Sequence, residues 1–316
     1  MWKKFLKFGV EFVGIFFLSF ALYLVGREVH ALGLKQVFDK ITELPFYVLF
    51  VALLFVACDY VAFSGYDFLA LLYIGAKLRK RLIVKTALIS FSVTNTTGHA
   101  YIAGGSIRYF FYSKFGLSEF QVLKMIAFES LTFLMGMGFV LDVCLILSHF
   151  LHLNRIHQYQ HLLDMGAVII SLMFLLYLLF VVRAKRCFKW HNITIKAPTL
   201  TLTAKQMLVG SFDIVSASLV FYTLFRAHLD ASYLQVAIIF LIAQVIGISS
   251  QVPGGLGVFE AGFLYLFPHT PDEKLPILAA LITFRVLYYF LPLIASILWL
   301  LFDSGRNFFI KGRDFK

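Results

Sequence analysis

The chain of 316 residues is 60% hydrophobic and only 14% charged, with 37 phenylalanines and a mean hydropathy of +0.86. A soluble domain is about 45–50% apolar and about a quarter charged, and no charged stretch here is long enough to form a separate domain, which excludes a soluble enzyme on a membrane anchor. The formal charge of +11 therefore points to cytoplasmic loops and anionic lipid rather than to nucleic acid, and three cysteines, Cys58, Cys144 and Cys187, build no disulfide framework.

In chain order, the basic start Lys3, Lys4 and Lys7 precedes an apolar run from Phe8 to Gly26. Its small-residue pair Ser19 and Ala21 lies inside the run, not after it, so the segment reads as a retained first span and not as a signal peptide. Five further stretches are apolar enough to span, at about 44–64, 121–147, 164–182, 205–226 and 276–302. Two others, about 82–117 and 233–267, carry glycine, hydroxyl and amide residues where an ordinary span carries leucine, and read as broken helices.

Basic residues divide twenty to six between the two sides this topology defines, which places both termini in the cytoplasm; the plasma (inner) membrane is the expected location. Trp2, Trp190 and Trp299 fall near the cytoplasmic boundary, where indole rings prefer to sit. The broken segments must then enter from opposite faces. The expected fold is all-α and polytopic: six full transmembrane helices plus two oppositely entering, re-entrant hairpins, in one transmembrane domain over 1–316 with inverted halves of about 1–150 and 160–316. Gly98 with Gly104-Gly105 and Gly247 with Gly254-Gly255 echo each other near half the chain length apart. Inverted repeats with broken helices at the midplane recur in secondary transporters.

Six ionisable residues fall within the apolar segments: Asp59, Arg108, Glu129, Asp213, Glu260 and Arg285. Each costs about 2.5–3.5 kcal/mol at a helix centre facing lipid, so the set would cost on the order of 15 kcal/mol or more. They must face each other or a wet cavity. Ion pairs such as Arg108 with Glu260, or Arg285 with Asp213, would serve the bundle alone; four acids against two arginines leave room for protons or a cationic ligand. Glu11 and Asp142, near span ends, read as interfacial. Helices starting after Gly105 and Gly257 would aim free N–H groups inward, and with Arg108 these would hold an anion such as a lipid phosphate.

Weaker signals add little. Gly255-Leu-Gly257 has Glu260 where a dinucleotide fingerprint needs glycine. His149, His152, His157 and His161 with Asp164 do not make a convincing metal set, so no metal and no cofactor are expected. His99, inside the first broken helix, reads as a hydrogen-bonded interior histidine. The phenylalanine excess reads as lipid-facing bulk.

Two stretches carry a resemblance. Asn95-Thr-Thr-Gly-His-Ala-Tyr-Ile-Ala-Gly-Gly-Ser-Ile-Arg-Tyr-Phe-Phe-Tyr112, followed by Gly116-Leu-Ser118, resembles the first motif of the lysylphosphatidylglycerol synthase transmembrane-region family. Pro253-Gly-Gly-Leu-Gly-Val-Phe-Glu260 is similar to its second, more specific motif. The resemblance covers nearly the whole chain and implies the lipid-flippase half of multiple peptide resistance factor proteins, standing without their soluble aminoacyl-transferring domain. It implies roles for Arg108 and Glu260, and for Gly104, Gly105, Gly254, Gly255 and Gly257; Pro253, with Gly98, is counted among the residues of the glycine turns. The expected function is a membrane lipid translocase, not an enzyme, acting on phospholipid, anionic lipid first, with aminoacylated phosphatidylglycerol among the head groups it allows. An integral-membrane enzyme acting on a lipid head group and a lipid-binding scaffold are the alternatives. No nucleic acid is expected, and a homo-oligomer is left open.

Overall fold

The computed structural model describes residues 34–97, 104–151, 159–183, 188–190, 193–195 and 198–311. The expected first span, Gly98, His99, His152 and His157 lie outside the described residues. A short amphipathic helix, α1 (Leu34–Thr42), leads into α2 (Phe46–Ile74). Pro45 sets the start of α2, and Gly75, at φ 76°, ends it by turning its N–H back to the carbonyls of Leu71 and Leu72. Helices α3 (Lys80–Thr97) and α4 (Gly105–Tyr112) form the first broken segment. They are followed by α5 (Glu119–Leu151) and α6 (Gln160–Arg183).

A small antiparallel hairpin, β1 (Phe188–Trp190) with β2 (Ile193–Ile195), is the one departure from helix among the described residues, and it sits in the basic loop before α7 (Leu200–Arg226). Thr199 caps α7 by accepting from the Leu202 N–H, and Ser232 with Gln235 forms a capping box on α8 (Tyr233–Ser249). The second break is a 3₁₀ turn, Pro253–Gly255, before α9 (Val258–Leu266). The last span is composite: α10 (Lys274–Arg285), a π-helical turn Val286–Phe290, and α11 (Leu291–Lys311).

Five of these units are long and apolar enough to cross a bilayer: Phe46–Ile74, Glu119–Leu151, Gln160–Arg183, Leu200–Arg226 and Pro271–Phe302. They are the five later spans that hydropathy predicts, and the chain is an all-α, multi-pass integral membrane protein. Two boundaries differ in a way that matters. The span expected to stop at 64 continues to Ile74, carrying Ser64, Gly65 and Asp67 inside the bundle, where Asp67 is fully buried. The last span is interrupted by the π turn beside Arg285, a feature that favours functional sites.

Helices α5 and α7 cross backbone against backbone. A Cβ placed on Gly136 would collide with the backbone of Gly210, so no side chain fits between them. Gln206 donates to Thr132 at 2.8 Å beside this crossing. The second half packs around phenylalanine: the Phe221 ring meets Phe225, Phe240, Phe259, Phe263 and Phe284 at centroid distances of 4.8–6.3 Å. Part of the phenylalanine excess is thus an internal stack, correcting its reading as lipid-facing bulk, although Phe46 and Phe150 do face outward. Asp142, read as interfacial, is buried and accepts from Ser171 at 2.8 Å, joining α5 to α6.

Candidate functional site

The two broken segments meet tip to tip. Gly254 holds φ 59°, and a Cβ there would lie 2.9 Å from the Thr96 carbonyl oxygen at the end of α3, so the turn requires glycine for conformation and for space. Gln251, a non-glycine residue at φ 58°, marks the same break.

Around this meeting point the buried charges form three groups, and none uses the pairs expected from the sequence. In the first, Arg108 on α4 donates through Nε (3.1 Å) and Nη2 (2.9 Å) to Asp67 Oδ1, and Nη2 also reaches Glu129 Oε2 on α5 at 2.9 Å. Tyr112 donates to the other oxygen of Asp67. The guanidinium lies over the Phe91 ring at 4.6 Å. Arg108 pairs with Asp67 and Glu129, not with Glu260, because α4 packs between α3 and α5 while Glu260 sits on the far hairpin.

In the second group, Arg285 reaches back across the second turn. Its Nη1 donates to the Gly254 carbonyl at 2.6 Å and its Nη2 to the Gly255 carbonyl at 3.1 Å, while Nε and Nη2 ion-pair with both oxygens of Glu260. Glu260 in turn accepts from the Gly257 N–H at 2.7 Å. Arg285 therefore pairs with Glu260, not with Asp213. Three N–H groups of this turn are already engaged: Gly255 donates to Val252, Leu256 to Pro253, and Gly257 to the carboxylate. At Gly257 a capping carboxylate stands on the N–H that an anion would otherwise meet.

The third group holds no cation. Asp59 lies near the middle of α2 and Asp213 at the middle of α7, each roughly 20 Å from its helix ends at 1.5 Å per residue. Tyr288 donates to Asp59 Oδ2 and Tyr66 to Asp213 Oδ2, both at 2.6 Å.

A cavity of about 380 Å³ opens between these groups. Arg108, Glu129 and Asp213 stand on its wall, with Tyr66, Tyr288 and Tyr289. Gly254 and Gly255 line it as well, with Asn95 and Gln251 from the two breaks. Asp59 lies behind Tyr288, while Glu260 and Arg285 hold the turn from outside the cavity. Gly104 packs against Thr94, where a Cβ would collide with the threonine hydroxyl, and Gly105 is buried at the start of α4. Leu134 on α5 and Ile248 on α8 belong to the lining and are exposed by 57% and 45%. The cavity thus reaches the lipid-facing surface between α5 and α8.

Asp67 is the buried charged residue of this cluster that hydropathy misses. The signal was in the sequence all the same: a Tyr-Asp pair one helical turn past a clear span, and an Arg108 in need of an acid.

The lysylphosphatidylglycerol synthase TM region matches residues 12–296. The chain is 30% identical over 299 residues to the Synechocystis protein slr0712, covering 92% of this chain and 90% of that one. It is 29% identical over 257 residues to inner membrane protein YbhN of Escherichia coli, covering 79% and 78%. To phosphatidylglycerol lysyltransferase of Bacillus subtilis it is 23% identical over 295 residues, which are 92% of this chain but 34% of the lysyltransferase. With its glycine breaks, its buried charges and a match across nearly its whole length, the chain belongs to the lysylphosphatidylglycerol synthase transmembrane-region family.

Proposed function

We propose that the protein is a membrane lipid translocase of the inner membrane, with both termini cytoplasmic, moving a phospholipid head group between leaflets. One observation carries the reading: a mid-depth cavity with Arg108, Glu129 and Asp213 on its wall opens sideways past Leu134 and Ile248. A head group fits about 380 Å³, within the range of small-molecule sites, while the acyl chains stay in the bilayer through the lateral mouth. The relatives' names agree with a lipid setting, one being an inner membrane protein and others phosphatidylglycerol lysyltransferases.

In this mechanism Arg108 is the phosphate contact, held in place by Asp67 and Glu129. A phosphate entering from the cavity trades with Glu129, which shares the wall, while Asp67 behind keeps the guanidinium oriented. The second turn contributes shape: Arg285 holds the carbonyls of Gly254 and Gly255, and Glu260 holds the Gly257 N–H. Movement of the half containing α3–α5 against the half containing α7–α9 opens the site to each leaflet in turn.

The test is reconstitution in liposomes with head-group-labelled phosphatidylglycerol, phosphatidylethanolamine or aminoacylated phosphatidylglycerol and a membrane-impermeant quencher. Wild type exposes the inner-leaflet label and Arg108→Ala does not. Equal rates for wild type, Arg108→Ala and protein-free vesicles across all three lipids would end the translocase reading.

A further inference from the structure

Two acids and two tyrosines meet at the cavity floor with no basic residue among them. Asp59 and Asp213 are 0% and 2% exposed, and their carboxyl groups stand within hydrogen-bond reach of each other. Each receives one tyrosine hydroxyl on its Oδ2, from Tyr288 and Tyr66. Asp59 Oδ1 is buried and has no donor among the described residues. The acids of the other two groups have a guanidinium: Arg108 for Asp67 and Glu129, Arg285 for Glu260.

Two bare carboxylates buried side by side repel each other strongly. A hydrogen bond between two carboxyl groups also needs a hydrogen, and the tyrosines have none left, since each hydroxyl proton already points at an Oδ2. A single proton on one acid meets both demands.

We infer that Asp59 and Asp213 share one exchangeable proton, and that this site couples lipid movement through the cavity to the proton gradient across the membrane. The coupling half of this inference rests on the translocase reading. Asp213, Tyr66 and Tyr288 line the cavity while Asp59 lies behind them, so the proton enters and leaves through Asp213. On release one carboxyl O–H bond breaks and cavity water takes the proton. Each carboxylate keeps its tyrosine donor, and the pair goes from one negative charge to two. That change is felt directly at the head-group position. Tyr60, Tyr289 and Cys58 are the other titratable groups near the pair, Glu129 and Tyr66 line the same cavity, and the Arg108 guanidinium is held by Asp67 and Glu129.

The experiment uses the full chain in liposomes and has two independent readouts. Infrared difference spectroscopy of wild type should show a protonated-carboxyl C=O band at neutral pH, shifted in D₂O and missing from both Asp59→Asn and Asp213→Asn. The Asp59→Asn change keeps the geometry, the new amide N–H donating to Asp213 and its oxygen accepting from Tyr288, so the variant folds and elutes as wild type does. In the lipid assay, an imposed difference of one pH unit should make inward and outward rates of wild type differ by up to about tenfold, reversing when the gradient is reversed and vanishing in Asp59→Asn. The inference is overturned if the band is absent. It is also overturned if the rates ignore the gradient, or follow a sodium gradient instead. If the band is present but wild type moves no lipid under any condition, the translocase reading and the coupling both fall, and the shared proton alone stands.

Discussion

Arg108 and Glu260 hold equivalent places in the two broken segments with their charges exchanged. Each lies three residues past a glycine, Gly105 or Gly257, and each ion-pairs with the span that follows, Arg108 with Glu129 and Glu260 with Arg285. The same cross-link is thus built twice, once with the arginine on the hairpin and once with it on the span. The first copy stands on the cavity wall. The second is turned onto the backbone of its own glycine turn, where it acts as a brace.

The brace makes the first prediction. Arg285→Ala leaves the Glu260 carboxylate and two carbonyls buried without their donor, a change worth about 3–5 kcal/mol. Glu260→Gln still offers an oxygen to the Gly257 N–H and should cost only about 1–3 kcal/mol. Thermal unfolding in detergent measures both, and an Arg285→Ala midpoint equal to that of wild type would remove the brace from the account.

Asp67 should behave as a positioning residue for Arg108. Asp67→Asn is expected to lower head-group translocation by about tenfold or more, a loss of roughly 1.4 kcal/mol in the lipid-bound state, while Asp67→Glu restores part of it. Both variants at wild-type rate in the liposome assay would show that Asp67 does not position Arg108 for transport.

The lateral mouth gives a variant that touches no charge. Leu134→Trp and Ile248→Trp place bulk where the cavity meets lipid, and both side chains are already exposed, so stability should stay within about 0.5 kcal/mol. Lipid movement should fall several-fold. An unchanged rate for both would mean that lipid does not enter between α5 and α8.

His228 lies in the loop after α7, half-buried, with Nε2 lacking a partner among the described residues. Burial, and then the charge of Lys40, hold its imidazole below the ordinary histidine range. The unfolded chain therefore takes up this proton more readily than the folded one. The contribution to stability is complete above the ordinary histidine range and is lost as pH falls from there toward the depressed folded value. Toward acid pH the unfolding midpoint of wild type should fall relative to that of His228→Leu across that window; parallel curves would show that His228 does not titrate there.

The spans were legible because lipid leaves a chain few choices, and five helices follow hydropathy closely. What hydropathy could not weigh was a polar residue hidden by its neighbours. Ser64, Gly65 and Asp67 look like the end of a span, yet Gly65 packs on Val209 and Asp67 on Arg108, so the helix runs on. The six intramembrane charges were likewise legible as buried, but their partners were not, because pairing depends on which helices cross and at what depth. The glycine motifs marked both breaks. They could not show that Glu260 would fold back to accept from the Gly257 N–H at the start of its own helix.

The contact of Gly136 with Gly210 joins the halves that must move if the cavity serves both leaflets in turn. Two backbones touching, with the Gln206–Thr132 hydrogen bond beside them, can rotate about their contact but cannot separate without losing it. The crossing then works as a fulcrum: opening at one membrane face closes the other, and the same pair of glycines keeps the path from being open at both ends. Gly136→Ala, which adds one methyl group where the Gly210 backbone already fills the space, should cost about 1–3 kcal/mol of stability. Its more telling effect would be on the membrane itself, as a leak of small ions through a protein held open at both faces.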